Sequence, residues 1–143
     1  MKLLVSVDLS DVSAAVVKKA AELAKGMSAE VRLLHIAEPE PDFVGYDVGP
    51  KYERDALAEK FHKEHSELQS IADGLRDDGL SVKALLVRGP TVETILNEAE
   101  KFEADMIVLG SHGRGAMQRL LMGSVSEGVL RETKCPILIV PTR

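Results

Sequence analysis

Tryptophan is absent from this chain, cysteine occurs once, and aromatic residues make up only 3% of it. The lone Cys135 has no partner for an internal disulfide. That excludes a disulfide-stapled scaffold and points to a reducing, cytoplasmic setting. No apolar run approaches the roughly 20 residues that a membrane helix needs. The opening MKLLVSVDLSD has too short an apolar stretch for a signal peptide and meets charge at once. Positive charge is in the minority: 18 Lys and Arg against 23 Asp and Glu leave a net charge of −5. A surface of that sign argues against nucleic acid and anionic membrane as partners. Internal repeats, linkers and low-complexity stretches are missing too. What remains is a 143-residue chain with 45% hydrophobic and 29% charged residues, the balance of a globular protein. It suits a single domain over residues 1–143, long enough to bury about 68–70% of the surface that an unfolded chain exposes.

The apolar residues are arranged as alternating strands and helices. Lys2 to Val7 (KLLVSV) is short and apolar and reads as a buried strand. Ser10 or Asp11 is placed to cap a helix running to about Lys25, with Ala14, Val17, Ala20, Ala21 and Ala24 on one face and Gly26 as its stop. Glu30 to Ala37 (EVRLLHIA) is the second strand, and a helix between two strands makes a parallel pair with a right-handed crossover. Prolines and glycines break Glu38 to Pro50. That loop carries Phe43 and Tyr46, cargo for a lid, a dimer contact or a partner surface. A long helix from Tyr52 to about Asp77 turns Ala58, Phe61, His65, Leu68, Ile71, Ala72 and Leu75 inward. Ser81 to Val87 is the third strand, Thr91 to about Phe102 a short helix, and Asp105 to Leu109 the fourth strand. Ser124 to Glu132 is the last helix, and Pro136 to Val140 the fifth strand. This alternation defines an α/β sandwich around a parallel five-stranded sheet. The strand order is not readable from the pattern.

The stretch that carries chemistry is Gly110 to Ser126, GSHGRGAMQRLLMGSVS. A strand runs into Gly110, a glycine-rich loop follows, and a helix starts at Ser124. Glycines let backbone N–H groups approach an anion, and the free N–H groups and dipole of a helix start favour phosphate. No Gly-Lys-Ser/Thr follows, so this is not a Walker loop. Gln118 stands where the dinucleotide fingerprint wants a third glycine or an alanine. The spacing of Gly110, Gly113, Gly123 and Ser124 resembles, position for position, the G-x2-G-x9-G-S/T motif of the universal stress protein family, ATP-binding branch. Val7, Asp8 and Ser10 match the V-D-x-S usual at the end of that family's first strand. The resemblance covers essentially the whole chain. It implies a Rossmann-like, three-layer sandwich of the adenine nucleotide alpha-hydrolase-like kind, with strand order 3-2-1-4-5.

With that order, ligand sits at the carboxyl ends of strands one and four, where the order reverses. The resemblance implies Asp8 for adenosine, with Leu9 and Ser10 beside it, and Ile36 and Gly89 near the adenine and adenosine. From the residues alone, Asp8 has a turn or capping role as the lesser alternative, while Ile36 reads equally as core and Gly89 as a turn glycine. The loop supplies Gly110, Ser111, His112, Gly113 and Arg114, and the helix start supplies Gly123, Ser124, Val125 and Ser126. The hydroxyls of Ser124 and Ser126 suit phosphate oxygens or N-capping. Arg114 and Arg119 either neutralise phosphate or lie solvated. His112 reads as a capping or solvated group, since no partner carboxylate is evident. His62 and His65 lie one turn apart with Glu59 nearby, but no third ligand set accompanies them, so no protein metal site is expected.

The implied function is binding of ATP, with ADP or AMP as variants and Mg2+ or Mn2+ on the phosphates. The protein would be a nucleotide-dependent stress regulator with slow or no hydrolysis. One competing reading is a slow ATPase or phosphoryl-transfer enzyme, for which no dedicated signature stands in the sequence. Another is a nucleotide-free dimeric interaction module, against which the intact glycines argue. A homodimer through the exposed edge strand Ile137 to Val140 and an unidentified protein partner complete the expectation.

Overall fold

The computed structural model describes residues 1–37, 51–112 and 122–142, with the backbone alone for 51–53. Strands and helices alternate through them: β1 (Lys2–Ser6), α1 (Ser13–Met27), β2 (Glu30–Ala37), α2 (Lys51–Asp77), β3 (Ser81–Arg88), α3 (Thr91–Phe102), β4 (Met106–Gly110), α4 (Ser124–Glu132) and β5 (Ile137–Val140). Every strand pair is parallel, and the order is β3-β2-β1-β4-β5. Central β1 explains its own sequence. Leu3, Leu4 and Val5 are at most 1% exposed, because helices cover both faces of the sheet, so the strand reads as a continuous apolar run.

The two faces carry separate cores. Leu3 and Val5 pack with Val16, Ala20 and Ala24 of α1 and with Leu68, Ala72 and Leu75 of α2. Leu4, one residue out of phase, packs with Ile95, Ala99 and Phe102 of α3 and Val129 of α4. The period-two alternation of a strand thus assigns a helix pair to each face. On the second face the helices approach closely. A Cβ on Gly128 of α4 would lie 2.8 Å from Cγ2 of Val92 on α3.

Two helices differ from the sequence expectation. Helix α1 begins at Ser13 rather than after Ser10 or Asp11, and its N-cap, Val12, offers no side-chain cap. The cause is Asp8. Its Oδ1 accepts the Ser10 N–H at 2.9 Å, the Ser10 hydroxyl, and the Ser13 hydroxyl at 2.8 Å. These bonds hold the chain in a turn until Ser13. The helix then passes through Gly26 to Met27. It stops because Ser28 turns left-handed (φ 50°), and the Ala29 N–H reaches back to the Ala24 carbonyl. In α2, His65 and Ala58 are exposed, while Glu64 is half-buried on the inward face with Leu68, Ala72 and Leu75.

Candidate functional site

Because the strands run parallel, their carboxyl ends share one edge of the sheet. Along that edge stand Gly89 after β3, Ile36 near the end of β2, Asp8 to Ser10 after β1, and Gly110 at the end of β4. The order reverses between β1 and β4, the switch point at which open parallel sheets take their ligands. The start of α4 is fastened beside it. The Gly123 N–H donates to the Ser111 carbonyl at 2.6 Å, and the Ser126 hydroxyl donates to the Gly110 carbonyl at 2.6 Å. Ser126 is 4% exposed, and its hydroxyl is engaged with the strand. Ser124 is exposed and Val125 half-buried.

Each of the other residues has a local role. Asp8 organises the turn after β1. Leu9, next to it, has φ 61°, a left-handed conformation that costs a non-glycine residue roughly 1–2 kcal/mol. Such strain concentrates at functional loops. Ile36 is half-buried against the α3 and α4 core. Gly89 has φ 153°, and a Cβ there would lie 2.8 Å from Oγ1 of Thr94. At Gly110 a Cβ would lie 3.0 Å from Cγ2 of Thr142 and 3.2 Å from Cγ2 of Val16. That glycine therefore serves packing as well as any ligand.

Ser111 and His112 are laced to the C-terminal segment. The Ser111 N–H donates to the Val140 carbonyl at 2.8 Å, and the Thr142 N–H donates to the Ser111 hydroxyl at 3.1 Å. The His112 N–H reaches Oγ1 of Thr142 at 3.0 Å, and that hydroxyl donates to the His112 carbonyl at 2.9 Å. The His112 ring contacts the Ser111 hydroxyl through Nδ1 at 3.0 Å. His112 is therefore buried, where a solvated ring was one expectation. Sequence reasoning missed Thr142, which follows Pro141 in what reads as a tail, and Ser13, the third donor to Asp8. Gly113, Arg114 and Arg119 lie outside the described residues, as do Phe43 and Tyr46.

A groove of about 1020 Å³ opens at Leu9, Ser10 and Asp11 and runs between α1 and α2 past Val17, Ala21 and Ile71 to Lys25 and Asp78. Of the described residues expected at the site, it touches Leu9 and Ser10. Among the described residues, no three His, Cys, Asp or Glu side chains gather as a metal cage, and no helix is long and apolar enough to cross a membrane.

A parallel sheet whose order reverses between β1 and β4, with helices packed on both faces, defines a Rossmann-like α/β protein. Comparison narrows the class. A model of the universal stress protein family matches residues 1–141, and the chain belongs to that family. Universal stress protein YxiE of Bacillus subtilis is 30% identical over 144 residues, 97% of each chain. The solved structure of protein MJ0577 of Methanocaldococcus jannaschii aligns with a TM-score of 0.78 at 29% identity, covering 99% of this chain and 96% of that one. A universal stress protein solved in complex with cAMP aligns with a TM-score of 0.74 at 23% identity, over 100% of this chain and 98% of that one. At that identity the likeness carries the fold.

Proposed function

We propose that this chain binds an adenine nucleotide at the carboxyl edge of its sheet and acts as an ATP-dependent regulator in a cytoplasmic stress response. Asp8, Leu9, Ser10, Ile36 and Gly89 would receive the nucleoside. The loop from Gly110 to Ser124 would receive the phosphates. One observation carries the reading: the 2.6 Å bond from the Gly123 N–H to the Ser111 carbonyl. It supports the site because it draws the two ends of the glycine motif together beside β4, next to the β1 turn. The first N–H groups of α4 have no carbonyl one turn behind them, and the helix dipole adds partial positive charge. Ser124 can offer its exposed hydroxyl; Ser126 can offer its backbone. The family member with cAMP is an adenine nucleotide binder on the same fold, but the reading for this chain rests on its own residues.

Mg2+ or Mn2+ would arrive on the phosphates. Oδ1 of Asp8 already accepts three hydrogen bonds, so the chain fits an ion held by phosphate oxygens and water rather than one in a protein cage. Turnover is expected to be slow or absent. Phosphoryl transfer needs a positioned base or water, a clamped metal and a cation on the γ-phosphate. Asp8 and His112 are both committed to bonds within their own loops. A homodimer through β5 and a separate protein partner belong to the same proposal.

The test is to denature purified protein, identify released nucleotide by chromatography, and titrate ATP by calorimetry with and without Mg2+. Adenine nucleotide in the extract, or saturable binding near one per chain, is expected. Gly123→Val should abolish binding with the far-ultraviolet circular dichroism unchanged. Absence of nucleotide and of binding would transfer the function to a nucleotide-free dimeric interaction module.

A further inference from the structure

Thr142 lies past the end of β5 and belongs to no strand, yet both its backbone and its side chain are bonded to the start of the glycine loop. Its N–H donates to the Ser111 hydroxyl at 3.1 Å, which seats the residue. Its own hydroxyl accepts the His112 N–H at 3.0 Å and donates to the His112 carbonyl at 2.9 Å. A hydroxyl has one proton to give and two lone pairs to receive with, so one side chain makes both bonds at once. Ser111 and His112 are buried, where an unpaired N–H or carbonyl is costly. The methyl of Thr142 faces Gly110: a Cβ there would lie 3.0 Å from Cγ2.

One peptide unit transmits the effect. The bond between Ser111 and His112 has its N–H end on the Thr142 hydroxyl, while its carbonyl end accepts the Gly123 N–H at 2.6 Å. A peptide unit is planar and turns as one body, so whatever holds the N–H also aims the carbonyl. Gly123 is the N-cap residue of α4, and no side chain caps that helix. A chain of bonds therefore runs from Thr142 through the 111–112 peptide to the first turn of α4. We propose that Thr142 is a positioning residue for the nucleotide phosphates. Its hydroxyl orients the Ser111–His112 peptide and, through Gly123, the direction in which the first N–H groups of α4 point. The inference rests on the nucleotide reading above and adds to it a residue outside the glycine motif.

Two substitutions separate the hydroxyl from the methyl. Thr142→Val keeps the shape and the methyl against Gly110, but it leaves the His112 N–H without its acceptor and the His112 carbonyl without this donor. Thr142→Ser keeps the hydroxyl and loses the methyl. A role in packing alone predicts that serine is the more harmful change. A role in positioning predicts the reverse, and it predicts that the harm falls on phosphate rather than on nucleoside. Asp8, Leu9, Ser10, Ile36 and Gly89, the residues proposed for the nucleoside, take no part in the bonds made by Thr142.

The test takes wild type, Thr142→Val and Thr142→Ser through two measurements; should valine unfold the chain, Thr142→Ala serves in its place. The first is amide hydrogen exchange without ligand. Exchange at His112 and Gly123 should be about tenfold faster in Thr142→Val, the effect of one lost hydrogen bond, and close to wild type in Thr142→Ser, with the amides of β4 unchanged. The second is titration with ATP and with adenosine. The dissociation constant for ATP should rise about tenfold in Thr142→Val and stay near wild type in Thr142→Ser, while adenosine binds all three proteins alike. Unmoved Gly123 exchange or ATP affinity in Thr142→Val, an equal loss for adenosine, or a serine variant as weak as the valine would overturn the positioning role. A wild type that binds no ATP would remove the nucleotide reading itself and this role with it, a result seen before any variant is compared.

Discussion

A methyl group at Gly89 would meet two obstacles. The backbone has φ 153°, and the Cβ would lie 2.8 Å from Oγ1 of buried Thr94. Gly89→Ala should therefore lower stability by about 1–3 kcal/mol, read from urea unfolding. Adding Thr94→Ala should recover the collision part of that loss but not the backbone part, and the coupling in the double-mutant cycle separates them. Asp8 gives the second prediction at this scale. Asp8→Ala strands two hydroxyls and one N–H that now bond to its carboxylate, and should cost about 1–3 kcal/mol. Asp8→Asn keeps an accepting oxygen and should cost visibly less; equal urea midpoints for the two variants would contradict this account of the turn. The sequence marked Asp8 as either a ligand group or a turn group. The turn role is now visible, and the same geometry leaves the nucleoside role to the binding assay. Glu64 was not legible at all. A glutamate on a helix reads as solvated, and only the fold brings His35, 29 residues away, to meet it.

Helices show where local signals win and where they are overruled. The extents of β2, α3 and α4 follow their apolar periods, although Leu130 in the last turn of α4 is exposed rather than turned inward. The start of α1 does not, because Asp8 spends the nearby serine hydroxyls on its turn before either can cap the helix. Its end does not stop at Gly26, because a glycine inside a helix weakens it by only about 1 kcal/mol, while Ser28 supplies the actual left-handed stop. Gly128 in α4 tests the same competition in reverse. An alanine would gain about 1 kcal/mol of helix propensity, but it would collide with Val92 across the α3–α4 contact, and overpacking costs typically about 1–3 kcal/mol. Gly128→Ala should thus be neutral to destabilising in the native background. In a Val92→Ala background, the same change should become stabilising. If its sign were equal in both backgrounds, close helix approach would not be the reason for the glycine.

At the scale of the whole molecule, alternating elements announced a parallel sheet, but neighbours in the sheet could not be read from periodicity, since every buried strand shows much the same apolar run. The order places β5 at an edge, with Ile137, Leu138 and Ile139 half-buried. Hydrogen bonding shows which backbone groups that edge presents. The carbonyls of Pro136 and Val140 accept from Ile107 and Ser111, and Leu138 is in register with Val108. Even-numbered positions of β5 therefore turn their N–H and carbonyl groups to β4, while Ile137 and Ile139 turn theirs outward. If two copies pair through this edge, as proposed, and do so antiparallel, the outward N–H of Ile139 is a bond between subunits. Ile139→Pro removes that donor without touching the β4 ladder, a substitution an edge strand tolerates. Light scattering should then report a monomer with unchanged helix content, while Ile139→Ala, which keeps the N–H, should remain largely dimeric. A dimer that survived the proline would have to use another surface, and a wild-type monomer would mean that this apolar edge is reserved for a different partner.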